Sequence, residues 1–330
     1  MMITMMVMIG EKQMKSIYVL KCIKEIILPE RPTWTQHITG GPKRANHAAV
    51  YYKKKIFIFG GYRHILNNYR LRPMDVFVFN TETLRWTTNK VSQTYLPFEL
   101  NDYRLNTYGH TAVRLKNKVY IYGGLSYYEA FTALYEYDLD ENTFTPLGTE
   151  GAPESRPGWS RRHCPAVDGH TACVIDGSMY VLGGHDYNTN RASNTFWALD
   201  LAEKQWREIE TQGGTTPRVD HHVAWALGSR MYVHGGRTRG HLDESDDGDE
   251  EFCPMMFYDV GTSSWHKVEE RGDVPIGRSG HSGFVRGRKL YMFGGFNCRL
   301  KKHFADMYEF DPGRWSLPRS CSHVAKRMRS

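Results

Sequence analysis

The chain lacks any apolar run near the roughly 20 residues that a membrane-spanning helix needs, so no membrane partner is expected. Cysteine is scarce: there are six (Cys22, Cys164, Cys173, Cys253, Cys298 and Cys321), with neither a CxxC nor any framework spacing. That pattern argues against a disulfide scaffold and against zinc, and implies reduced thiols in cytoplasm and nucleus. No glycine-rich segment opens a helix as dinucleotide or Walker loops require. No nucleophile, base and orienting acid recur together and no metal-ligand cluster is visible, so neither an enzyme nor a cofactor is expected. The net charge is +7, but the positive residues are scattered between Lys53-Lys54-Lys55 and Lys326-Arg327-Met328-Arg329. With no nucleic-acid module present, sequence-specific recognition of DNA or RNA is not expected. The opening Met1 to Ile9 has neither a positive leader nor a small-residue cleavage site, so residues 1–30 are read as an unassigned N-terminal extension.

What the chain does have is a repeat. Five times a histidine is followed thirteen residues later by a Gly-Gly pair: His47 with Gly60-Gly61, His110 with Gly123-Gly124, His170 with Gly183-Gly184, His222 with Gly235-Gly236 and His281 with Gly294-Gly295. Successive histidines are 63, 60, 52 and 59 residues apart, so length varies only after the glycines. Self-similarity at such a period marks a repeat architecture. Segments such as Lys55–Phe59, Lys118–Tyr122 and Lys289–Phe293 are β-branched and aromatic and read as buried strands. A third strand follows the glycines, as at Asp75–Asn80 or Met256–Asp259, and a fourth starts at Trp86, Phe144, Trp206, Trp265 or Trp315.

Four strands per repeat with a Gly-Gly and an aromatic resemble the kelch-repeat β-propellers. The fold class is therefore all-β, a kelch-type propeller with five complete repeats over residues 31–318. Trp34-Thr35-Gln36-His37 looks like a fourth strand without its first three, and residues 319–330 read as the start of an incomplete sixth repeat or a tail. A six-blade design lacking most of its last blade and a five-blade closure both fit this pattern. Longer strings, Arg278-Ser279-Gly280-His281-Ser282 and Gly295 through Asp306, are similar to the kelch-domain-containing protein 3 family. That resemblance implies a substrate-recognition subunit of a cullin-2 RING ubiquitin ligase. Such a subunit binds C-terminal glycine degrons and directs their bearers to proteasomal degradation. It also implies elongin B/C and cullin-2 as partners, although the helical segment that recruits them in relatives follows the last blade and is not found in this chain. The alternative reading is a chromatin-associated kelch scaffold related to meiotic recombination, without a ubiquitin role.

In an antiparallel blade, residues just before each histidine and just after each Gly-Gly share one rim. For the repeats concerned this rim includes Arg44, Tyr62, His185, Tyr187, Arg218, Arg237, Arg239, Arg278 and Ser279. Arg237, Arg239 and Ser279 come from adjacent blades, and guanidinium forks match carboxylate geometry. By the resemblance, Arg237 and Ser279 hold the terminal carboxylate of a bound peptide, and Arg239 matches more loosely. Tyr187 is placed in the pocket wall. Arg278 is read either as a further ligand contact or as a structural ion-pair partner. Asp243 to Glu251 holds seven acids in nine residues on the same face, and is read as a loop that attracts basic residues of a ligand or screens the arginines.

Overall fold

A computed structural model of the protein describes residues 41–62, 74–89, 107–126, 129–130, 134–148, 164–165, 167–186, 189–238 and 252–313. The extension 1–30, the Trp34 segment, Tyr187, Arg239, the acidic run Asp243 to Glu251, Trp315 and the tail 319–330 lie outside them.

Five blades follow one another in chain order. Blade 1 is an antiparallel meander of Ala48–Tyr52, Lys55–Phe59, Val76–Asn80 and Arg85–Asn89. Blade 2 uses Thr111–Leu115, Lys118–Tyr122, Leu134–Asp138 and Thr143–Gly148, and blade 3 uses Thr171–Ile175, Ser178–Leu182, Phe196–Asp200 and Gln205–Glu208. Blade 4 comprises Val223–Leu227, Arg230–His234, Met256–Asp259 and Ser264–Lys267. In blade 5 three strands are described, Ser282–Arg286, Lys289–Phe293 and Met307–Phe310. First strands of consecutive blades lie side by side, which builds the five-blade propeller arrangement.

Burial explains the strand composition. The last four residues of the second strand are buried in blades 1 to 4, as with Ile56, Phe57, Ile58 and Phe59, so alternation disappears there, whereas Lys289–Phe293 of blade 5 keeps it. Fourth strands form the outer edge, and Gln205–Glu208 is largely exposed. Four of the five apolar clusters among the described residues span two blades: Phe59, Tyr137 and Phe144 join blades 1 and 2, whereas Phe196, Tyr258 and Trp265 join blades 3 and 4. The fourth-strand aromatic reaches back to the preceding blade, with Trp206 at 5.0 Å from Tyr122 and Trp265 at 5.3 Å from Phe196 between ring centroids. Burying one such ring contributes about 1.5–3 kcal/mol.

Turns recur as faithfully as strands. The last residue of the third strand folds its carboxylate or amide over the hairpin: Asn80 accepts from the amides of Glu82 and Thr83, and Asp138, Asp200 and Asp259 do the same in blades 2 to 4. These side chains satisfy amides that the turn would otherwise leave without partners.

Candidate functional site

The mouth of the ring is built from backbone first. In every blade the residue two before the histidine bridges to the residue after the Gly-Gly: Ala45 with Tyr62, Tyr108 with Leu125, Asp168 with His185, Asp220 with Arg237 and Ser279 with Phe296. This places both sets of residues on one rim, as the antiparallel topology requires. Between blades, the second glycine donates its amide to the carbonyl three residues before the next histidine, in Gly61 to Thr107, Gly124 to Val167, Gly184 to Val219 and Gly236 to Arg278. The glycines are obligatory for two reasons at once. Gly236 sits at φ 76°, and a Cβ there would lie 2.4 Å from the Asp220 carbonyl oxygen. A Cβ on Gly235 would lie 2.4 Å from the His281 ring of the next blade.

Beneath this rim the histidines serve the scaffold. His110, His170, His222 and His281 are buried, and the hydroxyls of Thr111 and Thr171 reach Nε2 of the following blade's histidine, His170 and His222, at 3.0 and 2.6 Å. Burial above all, followed for three of them by the charge of a neighbouring histidine, pushes His110 down to about 4 and His170 and His281 down to about 3. Burial likewise holds His222 at about 3, against the opposing pull of Asp220. These rings are neutral packing elements at physiological pH. Burial also raises the thiols of Cys164, Cys173 and Cys253 to about 12, which removes them as nucleophiles.

At the seam of blades 4 and 5 the candidate residues come together. Gly236, next to Arg237, donates to the carbonyl of Arg278, next to Ser279, at 2.9 Å. On the other side of Ser279, Gly280 donates to the carbonyl of His221 at 2.8 Å. Arg237 and Ser279 are therefore held beside one another by main-chain hydrogen bonds. Ser279 is also paired with Phe296 in both directions at 2.9 Å.

The Arg237 side chain is 17% exposed and already engaged at one edge: Nε and Nη2 donate to the two oxygens of Asp220 at 2.8 and 3.0 Å, and Nη2 also lies 3.1 Å from His221 Nδ1. Asp220 is fully buried, and His185 Nδ1 from blade 3 stands 3.6 Å away. Burial alone would push the Asp220 carboxyl up, but its contacts with His221 and Arg237 outweigh that and hold it at about 2. Asp220 is thus a permanent anion that fixes the guanidinium plane and leaves Nη1 as the donor without such a partner among the described residues. Sequence reading did not single out Asp220 or His221. The signals were an aspartate two before the histidine in two repeats, Asp168 and Asp220, and a histidine where three other repeats carry glycine.

Arg278, read from sequence as a possible ligand contact, faces inward, and its structural alternative is the one the geometry favours. It is 0% exposed, gives Nε to the Ile276 carbonyl and Nη1 to the Gly294 carbonyl at 3.0 Å each, pairs with Asp306, and stacks over Phe304 at 3.8 Å. Arg44 repeats the pattern in blade 1 with Asp75. Both arginines clamp the start of the third strand.

A family model for the KLHDC2/KLHL20/DRC7 Kelch-repeats domain matches residues 47–245 and 109–323. The chain belongs to the kelch-repeat family. Human Kelch domain-containing protein 3 is 34% identical over 282 residues, covering 84% of this chain and 71% of that protein. The rat protein of the same name is 33% identical over 286 residues, covering 86% and 72%. Human Host cell factor 2 is a more distant relative, 28% identical over 278 residues that make up 78% of this chain and 31% of that protein. Kelch propellers of this kind are protein-binding modules, and the chain is homologous to Kelch domain-containing protein 3.

Proposed function

We propose that this kelch protein captures the free C-terminus of other proteins at the seam of blades 4 and 5, selecting glycine as the last residue. In this reading it is the substrate-recognition subunit of a cullin-2 RING ubiquitin ligase, working in cytoplasm and nucleus, with elongin B/C as adaptor. The observation that carries it is the main-chain stitching that sets Arg237 beside Ser279, one a charged fork and the other a hydroxyl. A carboxylate entering there meets the Nη1 edge of a guanidinium whose orientation is fixed beforehand, so little side-chain freedom is lost on binding. Glycine is favoured because any larger terminal side chain must fit against the Gly236 and Gly280 backbone. Arg239 and Tyr187 complete the proposed pocket.

The test acts on the ligand rather than on the protein, because truncating Arg237 would strip a fully buried carboxylate of its partner and unsettle the fold. A glycine-terminated peptide is compared with its C-terminal amide by fluorescence polarisation. Losing one charge of a hydrogen-bonded pair costs about 2–5 kcal/mol, so the amide should bind about 30-fold more weakly or worse. Equal affinities would refute carboxylate capture and favour a scaffold that grips its partner elsewhere.

A further inference from the structure

We propose that His221 is itself a ligand-binding residue of this mouth, donating its Nε2 hydrogen to the carboxylate that Arg237 and Ser279 receive. The proposal rests on the carboxylate reading above and adds a residue to it.

The first observation is conformational. The position before each ring histidine takes a left-handed backbone in all five blades: Asn46 at φ 52°, Gly109 at 70°, Gly169 at 62°, His221 at 52° and Gly280 at 63°. Three blades use glycine and one uses asparagine, the residues that tolerate this region. Blade 4 alone places a bulky side chain there. Strain of this kind persists at ligand sites, where it is part of how the site is built.

The second observation is chemical. His221 Nδ1 lies 3.1 Å from Arg237 Nη2 and 3.2 Å from Asp220 Oδ1. A guanidinium only donates, so a neutral ring that accepts from Arg237 at Nδ1 carries its hydrogen on Nε2. In the protonated ring Nδ1 gives its hydrogen to Asp220, and Nε2 keeps its own. Both of these states present an Nε2 donor, whereas a neutral ring that gave its single hydrogen to Asp220 would lack it.

The third observation is position. The ring lies on Gly169 of blade 3, where a Cβ would come within 2.7 Å of it, yet the side chain remains 38% exposed. Its own carbonyl receives the Gly280 amide at 2.8 Å. One residue thus touches the Arg237 side chain and anchors the main chain beside Ser279. A planar anion with two oxygens, such as a free carboxylate, suits three donors disposed in this way.

The experiment uses the full chain with His221→Gly and His221→Asn, each measured for melting temperature and for binding of a glycine-terminated peptide and its amide. Glycine relieves the backbone as in blades 2, 3 and 5, and asparagine copies blade 1. Both variants should bind the free acid about tenfold more weakly, the loss expected for one hydrogen bond to a charged group, while His221→Gly melts at or above the wild-type temperature. Wild-type affinity in either folded variant, alongside a wild-type protein that still discriminates against the amide, overturns the assignment of His221 and leaves carboxylate capture standing. A fall in affinity that comes with a lowered melting temperature in both variants assigns His221 to the scaffold and overturns the proposal too. If the wild-type protein itself ignores amidation, carboxylate capture and this assignment fall together.

Discussion

Two adjacent histidines in blade 4 have opposite surroundings. His222 is one of five equivalent residues; it is buried, neutral and bonded to a threonine of the preceding blade. His221, one peptide bond earlier, stands in a left-handed conformation on the rim, with a charged pair beside it. The inner layer of the ring varies little from blade to blade: a histidine, a Gly-Gly and an amide-to-carbonyl stitch. The rim directly above it presents Tyr108 and Leu125 in blade 2, Asp168 and His185 in blade 3, and Asp220 and Arg237 in blade 4, on the same bridged backbone. The repeat supplies geometry, and the side chains at a few rim positions supply chemistry.

This contrast can be broken most forcefully by acid. His110, His170, His222 and His281 titrate near 3–4 when folded and near the ordinary histidine value of about 6.5 when unfolded, so the unfolded chain takes up protons that the folded ring refuses. Stability is then complete above about pH 6.5 and is lost as pH falls towards 3–4, at a cost of about 2 kcal/mol per histidine by pH 5. Urea midpoints measured between pH 7.5 and 5 should fall steeply, and a flat profile would refute the neutral ring. The next largest effect is expected from Arg278→Ala, which should lower the unfolding free energy by about 2–4 kcal/mol; it loses two carbonyl contacts and an ion pair, softened because Asp306 is 41% exposed. Denaturation with urea checks this, and a loss below 1 kcal/mol would return Arg278 to the list of ligand contacts. The smallest effect sharpens the comparison from the far rim. Lys53 and Asp140 pair at 2.8 Å with side chains 65% and 45% exposed, so Lys53→Ala should leave both the melting temperature and peptide affinity unchanged within error.

Most of the ring was legible in the sequence because its determinants are local. Lys55–Phe59, Lys118–Tyr122 and Lys289–Phe293 form strands over the predicted residues, and Trp206 and Trp265 lie on fourth strands as expected. The shared rim also followed from antiparallel pairing alone. The direction of each arginine was not legible in the same way. Arg237 and Arg278 are both arginines near recurring turn residues, but one has a buried aspartate seventeen residues upstream and the other a part-exposed aspartate twenty-eight residues downstream. Which of them retains a donor at the surface depends on those distant partners, and on Phe304 closing over Arg278. The strain at His221 was visible in principle, since Gly109, Gly169 and Gly280 mark the position, but only the backbone angles turn that coincidence into a requirement.

The bridge at the base of each rim segment has an evolutionary consequence. Because the same pair of residues closes the first two strands in all five blades, sequence can be inserted after the second residue of the pair without disturbing the strands between them. The constant thirteen-residue interval marks the part of each repeat that is fixed, and the spread of 52 to 63 residues between histidines marks the part whose length varies. A lineage built on this plan can change what it grasps by lengthening one face alone, and a designer grafting a new recognition loop has five anchor points already spaced around a rigid platform.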